Sequence, residues 1–301
     1  MKLYIIGNGF DLWHGLPTRY NDFYDFAKAT LDAYECYYWL GVSDKELWHD
    51  FENDLSCFDW KQFYEDHDGT DSDSGPSDFY CLEDDLVEQT DRHVEGIKEA
   101  FQEWIEGIDI SDAKKKFDFS QDATFITFNY TSTLQSVYGI GEERVFHIHG
   151  RANQYDDLIF GHGKTMEEEP EQDENGDSNR WMGTDSETAA KYPFYALQKP
   201  VAKVLEANSS RFDSARLADE IIVVGHSLND IDLPYFKELA TRGEGARWLV
   251  FCYTETDKEL AMKQLIKCGI ESSKIQTFGY DDLPDMSGNV RICSFDHAGE
   301  S

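Results

Sequence analysis

A chain of 301 residues, 40% hydrophobic and 14% aromatic, carries enough apolar side chains for a sizeable core, which excludes a protein disordered throughout. Its 60 Asp and Glu against 27 Lys and Arg leave a net charge of -33, so most of the surface would repel a nucleic-acid backbone. No run approaches the ~20 apolar residues of a membrane span, no targeting peptide is recognisable, and Cys36, Cys57, Cys81, Cys252, Cys268 and Cys293 form no CxxC pair. The expectation is a cytoplasmic chain with reduced thiols, no thiolate zinc module, no membrane contact and no direct nucleic-acid contact.

Residues 3–6 are a continuous apolar run that meets Gly7, Asn8 and Gly9, the pattern of a buried parallel strand feeding a tight turn. From Asn21 to Ile108 the pattern is helical. Ser43 and Glu46 have the spacing of a capping box ahead of Leu47, Trp48, Phe51 and Leu55. Val94, Ile97, Phe101, Trp104, Ile105 and Ile108 recur at the spacing of one buried helix stripe. Between these, residues 65–77 are acidic and contain Gly and Ser, as a loop does.

Strand patterns resume at 124–129, 144–149 and 157–160, each ending in a polar residue or glycine. A second acidic loop at 167–178 precedes helical sequence at 187–207. Strands at 221–224 and 248–253 and a helix at 257–267 complete the pattern. This alternation predicts an α/β fold with a doubly wound, mostly parallel sheet, as one domain over 1–301 with a helical insertion at 21–110 after the first strand.

The chemistry sits where these strands end. In open α/β sheets ligands bind beyond the carboxyl ends of the strands, so polar residues gathered there carry information. Gly7 and Gly9 would let backbone N–H groups approach an anion, with a following helix adding its positive end. The same glycines also suit a plain tight turn. Position 12 is Leu, so the third glycine of a dinucleotide fingerprint is missing and hydride transfer is disfavoured.

His147 and His149, two apart on a strand, are expected to share one face of the sheet. Either they begin a metal site completed from His162, His226, Asp11, Asp230 and Asp232, or His149 alone is an acid/base at the strand end while His147 is structural. Asn129 ends an apolar strand where its amide needs a partner. It either caps the next helix or holds a ribose hydroxyl or a water. Gly225-His226-Ser227 repeats the strand-to-glycine pattern, with Ser227 either an N-cap or a phosphate donor at a helix start.

Taken in order, GNGFDL from Gly7, FNYT from Phe128, HIHG from His147, FGHG from Phe160 and GHSLNDID from Gly225 resemble the SIR2 superfamily, in particular its bacteriophage abortive-infection branch, the AbiH family. The resemblance covers residues 3–232. It implies an anti-phage effector that binds NAD or a related ADP-ribosyl nucleotide, as ligand or as substrate for hydrolysis of the nicotinamide–ribose bond. By the same resemblance Asn129 contacts the ribose and His149 is the catalytic histidine. Gly7, Asn8, Gly9, Phe10, Asp11, Thr131, Gly225, His226 and Ser227 then line the nucleotide site.

Two positions depart from the family pattern. Asp11 stands where a serine is common, and Thr131 where an aspartate is expected. With no zinc module, these departures disfavour protein deacylation. No metal is expected, and a homo-oligomer or a defence-system partner protein is consistent with the resemblance. Two other readings stay open: a non-catalytic nucleotide sensor, and a metal-dependent phosphoesterase or nuclease suggested by the histidine–glycine motifs.

Overall fold

The computed structural model describes residues 1–38, 47–70, 73–152, 154, 156–168, 170, 172 and 175–283. Six strands run in chain order as β1 (Lys2–Ile6), β2 (Thr124–Thr127), β3 (Val145–His147), β4 (Glu220–Val224), β5 (Arg247–Cys252) and β6 (Ile275–Gly279). They form one sheet in the order β3-β2-β1-β4-β5-β6, every pairing parallel. The α/β, doubly wound expectation therefore holds. The strand order reverses between β1 and β4, which is the switch point where such sheets open a crevice.

The apolar runs are continuous because both faces of the sheet are covered. Leu3, Ile5, Ile221, Val223 and Val250 face one core with Tyr235, Phe236 and Leu239. Tyr4, Ile6, Ile222, Val224, Leu249 and Phe251 face another with Phe10, Phe125 and Leu134. Each fully buried side chain of this size stabilises the fold by roughly 1.5–3 kcal/mol.

The helices are α1 (Asn8–Trp13), α2 (Tyr20–Asp32), α3 (Phe51–Asp54), α4 (Trp60–His67), α5 (Pro76–Glu106), α6 (Thr133–Tyr138), α7 (Thr184–Ala196), α8 (Val201–Ala207), α9 (Leu233–Arg242) and α10 (Glu255–Lys267). The first five fall between β1 and β2. The apolar faces of α2 to α5 share a third core, in which Phe23, Phe51, Phe101 and Trp104 meet Phe160, Ala189, Ala190 and Leu197 from beyond β3. The stripe from Val94 to Ile105 is the second half of α5, a 31-residue helix that begins with Pro76 at its first turn. Residues 65–67 belong to α4 and 76–77 to α5, so the loop expected at 65–77 is shorter. The capping box expected at Ser43 and Glu46 lies outside the described residues.

Residues 157–160, expected as a strand, pair with none. Ile159 donates to the carbonyl of His149 at 2.9 Å, and Leu158 and Phe160 turn into the helical core instead of the sheet. Their apolar character serves that core. Conversely, β6 and α9 carry no expectation from sequence. β6 is an edge strand whose IQTFG has no continuous apolar run.

Phe51 has no exposed surface and packs on Phe23, Phe101 and Phe160. Phe51→Ala is expected to destabilise the chain by about 3–5 kcal/mol in urea unfolding, whereas a cost below about 1 kcal/mol would show the third core to be dispensable.

Candidate functional site

At the ends of β1 and β4 two glycine turns press against each other. Gly7 N–H donates to Val224 O at 2.9 Å, Gly9 N–H to Gly225 O at 2.7 Å, and Phe10 N–H to Gly7 O at 2.9 Å. A Cβ on Gly7 would stand 2.6 Å from Gly225 O, and one on Gly225, whose φ is +71°, would collide with Phe10 N. These glycines exist for close backbone approach. Three of the loop's amides are thus engaged within the protein, which corrects the picture of an amide cradle open to an anion. α1 has only six residues. Phe10 points into the core, with its ring 4.4 Å from that of His14. The Asn8 side chain donates to Thr18 O at 2.7 Å.

A cavity of about 390 Å3 opens beside these turns. It brings together Asn8, Gly9 and Asp11 from the first turn, Asn129 and Thr131 from the end of β2, and His149 from beyond β3. Gly225, His226 and Ser227 from the end of β4 line it as well, whereas Gly7 and Phe10 do not. Its far wall is made by Phe101, Trp104 and Ile105 of α5, and Tyr253, Asp257 and Tyr280 close the side under β5. Tyr253 stacks on Tyr280 with ring centroids 4.1 Å apart and donates to Gly9 O at 2.9 Å.

The two departures from the family pattern touch each other. Thr131 Oγ1 donates to Asp11 Oδ2 at 2.6 Å and lies 3.0 Å from Thr133 Oγ1. A carboxylate–hydroxyl pair therefore spans the β1 and β2 loops. Burial pushes the Asp11 carboxyl up to about 6 against the opposing bonds of Thr131, Thr133 and Asn129. Asp11 Oδ1 and Asn129 Oδ1 are buried with no hydrogen-bond partner among the described residues. Asn129 does not cap a helix: α6 begins at Thr133 after Ser132. Its own N–H donates to Thr127 Oγ1 at 3.1 Å.

His149 sits in a turn beyond the strand proper, because Gly150 adopts φ +81° and its N–H returns to His147 O. The two histidines consequently part company, contrary to the shared face expected. His147 is held by Asn129 O at 3.0 Å and Gln135 at 3.0 Å, and burial lowers it to about 4. His149 is 2% exposed, its Nε2 has no hydrogen-bond partner among the described residues, and it lies 3.9 Å from Asp232 Oδ1. Burial, with the nearby Lys199 ammonium and His226, holds its pKa well below the ordinary value, outweighing Asp232. It is a neutral imidazole near neutral pH.

Glu52 and Lys199 reach the same cavity without any signal in the sequence. Lys199 Nζ lies 2.8 Å from Glu52 Oε1 and 3.1 Å from Asp232 Oδ1, and all three residues are buried. Burial opposes the charge on Lys199, but the two carboxylates outweigh it and raise its pKa. Burial likewise opposes ionisation of Asp232, and Lys199 with His226 and His149 overturns that, keeping the carboxyl well below the usual range. Glu52, with only Lys199 and Gly161 N–H against its burial, is pushed up. His226 Nδ1 accepts from Leu228 N–H at 2.9 Å, which leaves the Nε2 proton to face Asp232 Oδ2 at 3.5 Å. That bond also holds Leu228 at φ +54°. Ser227 is exposed, and with α9 starting only at Leu233 it neither caps a helix nor stands at a helix start.

The remaining candidates for a metal cluster lie elsewhere. His162 has both ring nitrogens engaged, Nδ1 accepting from Lys164 N–H at 3.2 Å and Nε2 donating to Phe194 O at 2.8 Å. Asp230 is exposed and meets Gln264 at 3.1 Å and Lys267 at 3.6 Å. Among the described residues no group of three or more His, Cys, Asp or Glu is arranged to hold a metal ion.

Residues 3–252 match the family model for "Bacteriophage abortive infection AbiH". The chain belongs to the AbiH family. All of the strand-end residues above fall within the matched span, as do Glu52 and Lys199, so the match covers the cavity lining except Tyr253, Asp257, Leu260 and Tyr280. No curated protein and no solved structure gives a match. No helix among the described residues of this AbiH chain is long and apolar enough to cross a membrane.

Two outcomes follow from the buried charges. Lys199→Met leaves two carboxylates facing each other out of water and is expected to cost about 3–5 kcal/mol in urea unfolding, with Glu52→Gln in the same chain recovering part of it. For Asp11, a folded-state pKa raised from 3.8 to about 6 means the folded chain holds a proton that the unfolded chain releases, so stability falls as pH rises through that window. Asp11→Asn should therefore raise the thermal midpoint more at about pH 7.5 than at about pH 5, by an equivalent of at most ~3 kcal/mol. Equal shifts at both pH values in a fluorimetric melt would contradict the assignment.

Proposed function

We propose that the cavity binds NAD or a related ADP-ribosyl nucleotide and hydrolyses its nicotinamide–ribose bond, so that the protein acts in abortive infection by consuming the nucleotide. One observation carries this reading. Asn129 Oδ1 and His149 Nε2, which the SIR2 resemblance assigns to the ribose and to catalysis, are both buried, both without partners among the described residues, and both on one cavity at the switch point of a parallel sheet.

The chemistry asks little of the protein. The C1′–N bond breaks with its electron pair passing to the pyridinium ring, which leaves as neutral nicotinamide, while C1′ passes through an oxocarbenium-like state. Water adds to C1′ and loses a proton, giving ADP-ribose and one H⁺. Asn129 orients a ribose hydroxyl or the water. Neutral His149 takes the water's proton on Nε2, and the imidazolium so formed faces Asp232 Oδ1 at 3.9 Å, a carboxylate kept ionised by Lys199. General-base help of this type contributes roughly 10²–10⁴-fold, and positioning supplies much of the remainder.

Nicotinamide release from NAD by the purified chain, and the NAD pool of phage-infected cells expressing it, are the measurements. His149→Ala and Asn129→Ala should each lower release by about 100-fold or more while leaving the thermal midpoint near that of the parent. If NAD is neither cleaved in vitro nor depleted during infection, the hydrolase reading falls. Tight NAD binding without turnover would make the same cavity a sensor.

A further inference from the structure

The proposed hydrolysis uses Asn129 and His149 and leaves Asp11 without a task. Asp11 is 1% exposed and lines the cavity. One of its oxygens is taken by Thr131 Oγ1 at 2.6 Å, and the other, Oδ1, has no hydrogen-bond partner among the described residues. A buried polar atom left this way is costly, and it is retained where a ligand completes it.

What would complete it is constrained by its surroundings. The amides of Gly7, Gly9 and Phe10, which would have welcomed a phosphate, already bond to Val224, Gly225 and Gly7 carbonyls. Three other residues of the same lining carry an oxygen with no partner among the described residues: Asn129 Oδ1, an acceptor, and the hydroxyls of Thr18 and Tyr280. The other charged groups on the lining are Glu52, Asp232 and Asp257 against the single cation Lys199, itself held by two of those carboxylates. An anion brought to Asp11 would meet a carboxylate and acceptor oxygens, whereas a hydroxyl or N–H group would satisfy them.

Resting on the NAD reading, we propose that Asp11 is a ligand-contacting residue whose Oδ1 accepts a hydrogen bond from a ligand hydroxyl or amide N–H, so that the first-loop end of the cavity holds the nicotinamide riboside portion and not the pyrophosphate. The glycine turns then shape the cavity, and recognition at this end is independent of phosphate. Within the nicotinamide riboside portion, ribose hydroxyls and the carboxamide are the two sources of such a donor.

Calorimetric titration of the full chain carrying His149→Ala, which suppresses turnover, separates these possibilities with NAD, nicotinamide riboside, ADP-ribose and nicotinamide as probes. Nicotinamide riboside is expected to bind within about tenfold of NAD, and Asp11→Ala to weaken both by tenfold or more, with Asp11→Asn, which keeps an acceptor oxygen, falling between. Loss of ADP-ribose affinity in Asp11→Ala assigns the donor to the ribose, and loss of nicotinamide affinity assigns it to the carboxamide. NAD binding without nicotinamide riboside binding, or unchanged affinities in a folded Asp11→Ala or Asp11→Asn chain, overturns the proposal and leaves the NAD reading standing. Nicotinamide riboside binding that depends on Asp11 in a chain that neither binds nor cleaves NAD does the reverse. Binding of none of the probes overturns both.

Discussion

The ammonium of Lys199 ties together three segments from separate parts of the chain. Glu52 arrives from α3, within the long helical run between β1 and β2. Asp232 arrives from the turn before α9, and Lys199 itself from the residues preceding α8. A buried cation between two carboxylates contributes little net stability, but removal of the cation leaves two carboxylates facing each other uncompensated, so Lys199 holds the three segments in a single arrangement. That arrangement sets the cavity wall and keeps Asp232 ionised beside His149 and His226. The helical segment thereby shapes the electrostatics of a site to which Asn129, His149 and Gly225 come from strand ends.

The second constraint is steric. Gly7 and Gly225 let the turns after β1 and β4 approach until backbone amides bond across the gap. Glycine-rich turns at this place in a doubly wound sheet commonly offer their amides to phosphates. Here the amides of Gly7, Gly9 and Phe10 close on the protein itself, and the groups left facing the cavity are mostly oxygens. The cavity thus keeps two unpartnered acceptors, Asp11 Oδ1 and Asn129 Oδ1, that call for hydrogen-bond donors. Its aromatic wall from α5 suits a flat heterocycle.

The pair Asp11 and Thr131 changes how the departures from the family pattern are understood. Read separately, each is the loss of an expected residue. In space they are one hydrogen-bonded carboxylate–hydroxyl pair joining the loops of β1 and β2, so the acidic function is present on the opposite loop from where it was expected. The burial that raises the Asp11 pKa is the same burial that leaves Oδ1 without a partner among the described residues.

The sequence by itself determined the α/β class, five of the six strands, and the gathering of Asn129, His149 and Gly225 at strand ends, because continuous apolar runs and the residues that interrupt them are local signals. It also carried the family, through the order of short motifs. Tertiary structure alone decided which of those residues meet. His147 and His149 share a strand pattern, yet a turn at Gly150 sends one to Gln135 and the other to the cavity. Residues 157–160 look like a strand because Leu158 and Phe160 fill the helical core while Ile159 packs on the other side against a core of the sheet, and β6 escapes notice because an edge strand needs no continuous apolar run. Glu52 and Lys199 are invisible in advance: in a chain with 60 acidic residues no single carboxylate stands out, and an ion pair between distant segments leaves no periodicity. Hydrophobic burial acts through local pattern and can be read along the chain, whereas pairing of buried charges and the direction of a backbone amide depend on which segments the fold brings together.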